Sequence, residues 1–271
     1  MMTARQAIKY WLYGSCPGFA GSFRYFGIRI YFPKRALLFR AACEQGVFEA
    51  DNVRLLQGLV RPGSYFFDVG ANIGLMSVPV LYCVRDVRAV SFEPSPNTLP
   101  HLRRTIEQSS LGDRWTLIPK AVGMETGQVT FSVANPENGA YDGLRNTRRV
   151  EEATQATVEV TTLDHEWERL GRPQVSAIKI DVEGGELAVL QGALDLLKQC
   201  RPFVLLEWNK TNLKPYDVTP RALSDFAHAN DFLILALPHL NPVATAAELE
   251  VQLLQTESFL LIPAKGPNEN S

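Results

Sequence analysis

The sequence has few cysteines and no long apolar run. Cys16, Cys43, Cys83 and Cys200 are far apart among the 271 residues, and none belongs to a Cys-x-x-Cys pair or stands at metal-ligand spacing from a histidine. No apolar run reaches the roughly 18 residues of a membrane span, and the N-terminus lacks the pattern of a signal peptide. We therefore expect a cytoplasmic protein without a transmembrane segment.

A surplus of either charge is also missing. The chain has 27 Lys and Arg residues against 29 Asp and Glu residues, a formal net charge of −2. A protein that binds nucleic acid normally presents a basic face to the phosphates, so this balance argues against a nucleic-acid partner. A hydrophobic fraction of 46% with 21% charged residues is typical of an ordinary globular protein.

Both common phosphate-binding motifs are absent. Residues 67–74 read FDVGANIG, in which a short apolar strand ends near Asp68 and a turn through Gly70 and Gly74 leads into a helix. Asn72 stands where the dinucleotide fingerprint needs its second glycine, and no Gly-Lys-Ser/Thr sequence makes a P-loop. The helix N-terminus and the charge of Asp68 therefore suit a ligand with a cationic end and polar hydroxyls.

A second acid follows at the end of the next predicted strand. Glu93 comes 25 residues after Asp68, and Pro94 then ends the strand. An acid at this distance is how a doubly wound sheet binds the hydroxyls of a ribose. Because the turn between the two acids lacks a pyrophosphate site, the pattern favours an adenosine without phosphates over a dinucleotide.

The rest of the chain alternates apolar strands with helices. This alternation is typical of an α/β protein with a doubly wound, mostly parallel sheet, in which one late strand is antiparallel. Residues 1–60 are predicted to form an N-terminal α/β addition that covers the ligand crevice, residues 61–265 the main domain, and residues 266–271 a flexible tail. We predict seven core strands, at residues 64–69, 88–93, 115–122, 175–182, 203–207, 232–237 and 257–263.

Acids end four of these strands. Asp68, Glu93, Asp181 and Glu207 all stand at or next to carboxyl ends. Ligands of such a sheet bind beyond the carboxyl ends of the strands, so we expect the four carboxyl groups on one side of the molecule.

Four blocks of this sequence resemble the FkbM family of S-adenosylmethionine-dependent methyltransferases. They are FDVGANIG at 67–74, FEPSPN at 92–97, TLD at 162–164 and IKIDVEGGE at 178–186, in the order that the family has them. Gly185 departs slightly from the family pattern, which usually has a small residue such as alanine there. The resemblance implies a Rossmann-like class I methyltransferase fold and transfer of a methyl group to a hydroxyl of a sugar, a glycan or a polyketide-like metabolite.

The resemblance also implies a set of residues that bind S-adenosylmethionine. The residues after the first strand are expected at the amino acid end of the donor, those after the second strand at the ribose and the rim, and those after the third at the adenine. In that order, we expect Asp68, Gly70 and Asn72, then Glu93, Ser95 and Asn97, then Ala121, with Asp181 beside the donor.

Methyl transfer to an alcohol requires removal of the hydroxyl proton. Asp181 is the best-placed candidate, either as a direct base or as a ligand, with Glu207 and Asn209, of a Mg²⁺ ion that lowers the pKa of the alcohol. We favour direct base action as the simpler of the two. His165 is a further candidate base, because a histidine titrates near neutral pH.

Two other functions stay open. A nicotinamide-dependent oxidoreductase has the same kind of sheet, although the missing second glycine argues against it. A non-catalytic S-adenosylmethionine-binding module has the same fold, although the four strand-end acids argue against it.

Two segments outside the motifs also bear on partners. Residues 1–13 have the pattern of an amphipathic helix, with Ile8 and Trp11 on its apolar side. We expect this side to pack on the protein's own core or on the twin subunit of a homodimer, with a membrane surface as the alternative. The polar segment 134–157 is either a lid over a small-molecule or glycan acceptor or a solvated loop.

Overall fold

The chain begins with elements that precede the main sheet. The computed structural model describes residues 3–16, 21–34, 36–135, 142–144 and 154–264. Two helices of this part are separated at residues 46–49, where Gly46 and Glu49 have positive φ. The elements of this part are α1 (Ala4–Ser15), β1 (Ser22–Tyr25), β2 (Ile28–Tyr31), α2 (Leu37–Gln45) and α3 (Ala50–Leu59).

Strands and helices then alternate along the rest of the chain. The first part contains β3 (Tyr65–Val69), α4 (Ser77–Cys83), β4 (Arg88–Phe92), α5 (Leu99–Glu107), β5 (Trp115–Ile118), β6 (Ala121–Val122), β7 (Gly127–Val133) and β8 (Thr154–Thr161). The second part contains α6 (Leu163–Arg169), β9 (Val175–Ile180), α7 (Glu186–Gln191), α8 (Leu194–Cys200), β10 (Phe203–Glu207), α9 (Lys210–Leu213), α10 (Ala222–Ala229), β11 (Phe232–Ala236), β12 (Asn241–Val243), α11 (Ala246–Gln252) and β13 (Ser258–Pro263).

The main sheet has the order β12-β11-β13-β10-β9-β3-β4-β5. The five strands from β10 to β5 are parallel neighbours, whereas β13 runs antiparallel to both β10 and β11. This confirms the predicted doubly wound, mostly parallel sheet. The short edge strand β12 is an addition to the seven predicted strands. The chain reverses direction across the sheet between β3 and β9, and this reversal opens a crevice at their carboxyl ends.

The predicted third strand at 115–122 is wrong in its extent. It divides into β5, which pairs with β4, and β6, which joins β7 and β8 in a separate three-stranded sheet. Pro119 stands at the division, and a proline has no N–H with which to continue the hydrogen bonds of the ladder.

Apolar side chains fill both faces of the main sheet. Along β3, Phe67 and Val69 pack into one cluster, while Phe66 packs into the other. The second cluster also contains Phe32 and Phe39 from the N-terminal elements. The N-terminal elements therefore share a core with the sheet, while the domain boundary near residue 60 stays a prediction. The flexible tail that the sequence predicts at 266–271 lies outside the described residues.

The turn after β3 can be made only with a glycine at its first position. Gly70 has a φ of 76°, in the left-handed region that favours glycine. A Cβ built on Gly70 would lie 1.8 Å from the backbone oxygen of Asp181. The missing side chain therefore lets the β3 turn approach the end of β9 more closely than any other residue would allow.

We predict that Gly70→Ala lowers the free energy of unfolding by about 1–3 kcal/mol or more. This range is typical of a strained backbone position, and the loss can be larger because the β3 turn and the end of β9 must also move apart to make room for the added Cβ. Urea denaturation measures the change. Gly58→Ala in α3 is the matched control, since nothing lies within 4 Å of its added Cβ, and there we expect a gain of roughly 0.5–1 kcal/mol. Equal effects of the two substitutions would contradict the prediction.

Candidate functional site

A cavity lies at the carboxyl ends of β3, β4, β9 and β10. Three of the four predicted strand-end acids, Glu93, Asp181 and Glu207, contribute to its wall. The turn after β3 contributes another part of the wall, and the N-terminal elements and the β6–β8 region close it from the other sides. The lining residues are Leu38, Phe48, Glu49, Val69, Gly70, Ala71, Asn72, Leu75, Met76, Phe92, Glu93, Pro94, Lys120, Ala121, Val122, Phe131, Asp142, Leu144, Lys179, Asp181, Val182, Glu183 and Glu207.

Glu93 joins the turn after β3 to the turn after β4. Its Oε2 accepts a hydrogen bond of 2.7 Å from the Asn72 N–H, and its Oε1 accepts one of 2.7 Å from the Ser95 N–H. Burial raises the pKa of Glu93 to about 7, although the two backbone N–H groups favour the ionised form. The carboxyl group therefore changes its charge in the neutral range, at the wall of the cavity.

Asp68 does not reach the cavity, so the predicted direct contact with the donor is wrong. The residue is 0% exposed, and its Oδ2 accepts a hydrogen bond of 2.6 Å from the Ser77 hydroxyl. Because Asp68 lies within β3, opposite Ser91 of β4 and Lys179 of β9, its side chain is enclosed by the neighbouring strands. Its carboxylate therefore lies behind the turn after β3 and binds Ser77 at the start of α4.

Lys179 is a residue of this site that the sequence reasoning missed. It is 7% exposed, and its Nζ lies 3.0 Å from the Gly70 carbonyl oxygen, 3.3 Å from Asp181 Oδ2 and 3.8 Å from Asp68 Oδ1. Burial lowers the pKa of Lys179, but the charges of Asp181, Asp68 and Glu49 outweigh it and hold the pKa above its ordinary value. A single lysine inside an apolar strand was the available signal, since a buried cation needs an anionic partner.

Asp181 and Glu207 form a pair of carboxyl groups at the adjacent ends of β9 and β10. A hydrogen bond joins the two side chains. Burial, together with the charges of Asp181 and Glu183, raises the pKa of Glu207 to about 10. Glu207 therefore keeps its proton at neutral pH and donates it to Asp181, which has Lys179 on its other side.

Glu186 supports the segment that follows Asp181. Its Oε1 accepts hydrogen bonds from the Val182 and Gly184 N–H groups, at 3.1 and 3.0 Å. Gly184 has a φ of 105°, and an added Cβ would lie 2.1 Å from the Asn212 carbonyl oxygen. The IKIDVEGGE block thus folds into a tight loop that keeps Asp181 beside the β3 turn.

Ser95 and Asn97 do not line the cavity, which corrects their predicted place at its rim. Instead, both bind Asp142: the Ser95 hydroxyl and the Asn97 amide donate to Asp142 Oδ2, the latter at 3.3 Å. Asp142 Oδ1 also accepts a hydrogen bond of 2.6 Å from the Ala134 N–H. These contacts hold Asp142 and Leu144 against the cavity. Of the predicted lid at 134–157, residues 136–141 and 145–153 lie outside the described residues.

Two of the predicted catalytic and metal-binding side chains are elsewhere. His165 is exposed on α6 and is not among the described residues that line the cavity, so the structure does not bring it together with Asp181 and Glu207. Asn209 is the N-cap of α9, where its Oδ1 accepts a hydrogen bond of 2.8 Å from the Thr211 N–H. Within the described ranges, no three His, Cys, Asp or Glu side chains are grouped to hold a metal ion. The Mg²⁺ site at Asp181, Glu207 and Asn209 stays a prediction.

Apolar side chains form another part of the cavity wall. Ala121 lines it, as predicted, together with Phe92 and Phe131. Lys120 also lines it and pairs with Glu159 at 3.1 Å. Phe92, Ala121 and Phe131 give this part of the wall apolar surface, which suits an aromatic base, whereas Lys179 and Asp181 make another part polar.

The sheet order and a site at its reversal point define a Rossmann-like class I methyltransferase fold. A family model described as "Methyltransferase FkbM domain" matches residues 68–239, nearly two thirds of the chain. The chain therefore belongs to the FkbM methyltransferase family. It spans just under two thirds of the curated relative that it matches and about half of the first solved structure.

One curated relative and two solved structures are similar to this chain. A hexuronic acid methyltransferase, AglP, from Haloferax volcanii is 30% identical over 173 residues, which are 63% of this chain and 66% of the relative. The crystal structure of Methyltransferase FkbM from Methylobacillus flagellatus KT is matched with 16% identity and a TM-score of 0.45, over 84% of this chain and 53% of that one. An O-methyltransferase from Bacillus cereus in complex with SAH is matched with 12% identity and a TM-score of 0.43, over 79% of each chain.

The raised pKa of Glu93 predicts a pH-dependent loss of stability. An acid whose pKa is higher in the folded state stabilises the fold below its ordinary pKa of 4.5, and this contribution is lost as the pH rises through about 7. Relative to Glu93→Gln, which does not titrate, wild type should lose up to roughly 3 kcal/mol of unfolding free energy between pH 5 and 8. Urea denaturation of both proteins at each pH checks this, and a difference that is constant over the range would contradict it.

Proposed function

We propose that the protein is an S-adenosylmethionine-dependent O-methyltransferase that acts on a hydroxyl group of a sugar or glycan. One observation carries the proposal: the carboxyl groups of Glu93 and Asp181 open into the same cavity, on either side of the turn from Gly70 to Asn72. Such a cavity matches a ligand with a diol at one place and a cation at another. The family supports methyl transfer over the alternative of hydride transfer with a nicotinamide.

The described residues fit the donor by their chemistry. Glu93 offers acceptor oxygens to the ribose hydroxyls, and Ala121 with Phe131 offers apolar surface to the adenine. The close approach at Gly70 leaves the β3 turn free of side-chain atoms where the donor would lie. S-Adenosylmethionine supplies a methyl group on a positively charged sulfur, which is already activated for displacement.

The protein's own residues must align the acceptor hydroxyl and remove its proton. We assign the proton acceptor as Asp181. Glu207 keeps its own proton and so cannot compete as the base, and its hydrogen bond restrains the Asp181 carboxylate. Lys179, at 3.3 Å, holds the same carboxylate from the other side. This arrangement supports direct base action and needs no metal ion.

The acceptor class rests on the name of the relative from Haloferax volcanii, a hexuronic acid methyltransferase, and on the resemblance of the sequence blocks. A secondary metabolite with a free hydroxyl is the second candidate acceptor. Residence in the cytoplasm and a homodimeric state stay predictions. The direct test of the function is incubation with radiolabelled methyl donor and a panel of sugars, and transfer to none of the hydroxyl acceptors would count against it.

Glu93→Ala should weaken the binding of S-adenosylhomocysteine by about 1–3 kcal/mol, because a charged hydrogen-bond acceptor for the ribose is lost. Isothermal titration calorimetry measures the change. Glu107→Ala on the exposed face of α5 is the matched control and should bind like wild type. Unchanged affinity of Glu93→Ala would remove Glu93 from the donor site.

Asp181→Asn should lower kcat by roughly 10²–10⁴-fold, the usual contribution of a positioned base, while the Kd of S-adenosylhomocysteine stays close to that of wild type. Steady-state kinetics and calorimetry on the same preparation separate the two effects. The control is Asp113→Asn, on the exposed turn before β5. If Asp181→Asn kept full turnover, another group would have to be the base.

A further inference from the structure

A second cavity adjoins the first at the carboxyl ends of β9 and β10. Four residues line both cavities, and they are Glu49, Lys179, Asp181 and Glu207. The residues that line only the second cavity are Asn52, Ile180, Leu205, Leu206, Glu257 and Ser258. Asp181, the proton acceptor that we assign, therefore stands where the two cavities meet.

Parts of the chain that are far apart in sequence form the wall of the second cavity. Glu49 stands just before α3 and Asn52 lies in its first turn, where the Asn52 amide donates a hydrogen bond of 2.9 Å to Glu49 Oε2. Glu257 and Ser258 lie at the start of β13, and Ser258 is the strand partner of Glu207 in β10. The N-terminal elements and β13 thus bring polar side chains to the space beside Asp181.

Helix α1 belongs to the same N-terminal elements, but its apolar side lines neither cavity. Ile8 is 63% exposed and Trp11 is 60% exposed. The expectation that these two side chains pack on the protein's own core is therefore wrong, while their contact with a twin subunit or a membrane surface stays a prediction. Within the described residues, no helix has the length and apolar character needed to cross a membrane.

The walls of the two cavities offer no spare cation to an anionic acceptor. Among the described residues that line them, the only cations are Lys120 and Lys179. Lys120 pairs with Glu159 at 3.1 Å, and Lys179 pairs with Asp181 at 3.3 Å. A carboxylate that leaves water without gaining a cationic partner loses a large amount of free energy, so a sugar that carries one is at a disadvantage here.

The same walls have a surplus of acids. Six acidic residues line the first cavity and Glu257 of the second adds a seventh, against the two lysines. Desolvation and the charge of Asp181 raise the pKa of Glu49, so this part of the site already resists further negative charge. Hydroxyl groups meet no such resistance, because they can donate hydrogen bonds to the carboxyl oxygens.

We propose that the second cavity binds the acceptor, and that Glu49, Asp181 and Glu257 select a sugar without a carboxylate by repelling one that has it. The inference rests on the proposed function and narrows its acceptor to an uncharged sugar. A hexuronic acid, which stands in the name of the relative from Haloferax volcanii, would be a poor acceptor for this chain.

The two cavities together accommodate the transfer as a single displacement. The acceptor oxygen forms a bond to the methyl carbon while the bond from that carbon to sulfur breaks, and the sulfur keeps the electron pair. The hydroxyl proton passes to Asp181, which lines both cavities.

Calorimetry with matched sugars tests the selection on the full chain. The methyl glycosides of glucose and galactose are compared with those of glucuronic and galacturonic acid, in which a carboxylate replaces the C6 hydroxymethyl group. Each is titrated into protein saturated with S-adenosylhomocysteine. For the better-bound neutral glycoside, we expect its uronic acid counterpart to have a Kd at least about tenfold higher, because a like charge must approach the acids of the wall.

Charge variants test which residues make this selection. Glu49→Gln combined with Glu257→Gln should narrow the ratio of the two Kd values at least about threefold, because two repelling charges are removed while the shape of the wall is kept. Glu107→Gln on the exposed face of α5 is the matched control and should keep the wild-type ratio. A change in packing alone would weaken both sugars alike and leave the ratio unchanged.

Filling the second cavity tests its assignment separately. Asn52→Trp places a large side chain at the wall and should raise the Kd of the neutral glycoside at least about tenfold through steric exclusion. The Kd of S-adenosylhomocysteine should stay close to that of wild type, because Asn52 does not line the first cavity. Arg54→Trp, exposed on the same helix and outside the second cavity, is the control and should bind both ligands like wild type.

Three results would overturn the inference: equal or tighter binding of the uronic acid glycosides, binding of none of the four glycosides, or neutral-sugar binding that Asn52→Trp leaves unchanged. Methyl transfer judges the proposed function separately. Selective sugar binding without transfer to any acceptor would remove the proposed function and keep the inference about binding. Transfer to the uronic acid glycosides as fast as to the neutral ones would do the reverse.

Discussion

A buried cation holds the site together. Lys179 lies within β9, surrounded by the sheet, and it contacts the Gly70 carbonyl oxygen, Asp181 and Asp68. Without the charge of Lys179, the carboxyl groups of Asp181 and Asp68 would have no cation near them in a region of low dielectric. Burying two unpaired carboxylates there costs a large amount of free energy. With it, the turn after β3 and the end of β9 come together.

Backbone constraints reinforce the same arrangement. Gly70 permits the contact with the Asp181 backbone, and Gly184 permits the return of the chain past Asn212. Glu93 adds a third restraint, since it accepts N–H groups from the turns after β3 and β4. The acids of this site therefore have two tasks. They accept hydrogen bonds from backbone N–H groups that would otherwise have no partner, and they contribute oxygen atoms to the cavity wall.

Glu207 and Asp181, at the adjacent ends of β10 and β9, have different surroundings. Glu207 has lost most of its contact with water and lies among other acids, so it is protonated. Asp181 lies beside Lys179 and accepts the proton of Glu207 in a hydrogen bond.

Much of this organisation follows from the sequence, because apolar runs, glycines and strand-end acids each have a local meaning. The alternation of elements predicted the doubly wound sheet, and the strand ends at Glu93, Asp181 and Glu207 predicted the three acids that share the cavity. Pro119 is a local signal too, and it marks the point at which the predicted third strand divides.

The register of β3 against β4 and β9 has no such local signal, because it depends on which strands become neighbours. That register encloses Asp68 and brings Lys179 to it, and long-range packing also brings Glu49 and Asp142 to the cavity. Local pattern therefore determined the fold and the kinds of groups at the site, whereas only the tertiary structure decided which of those groups face the cavity, since strand pairing and loop placement join residues far apart in the chain.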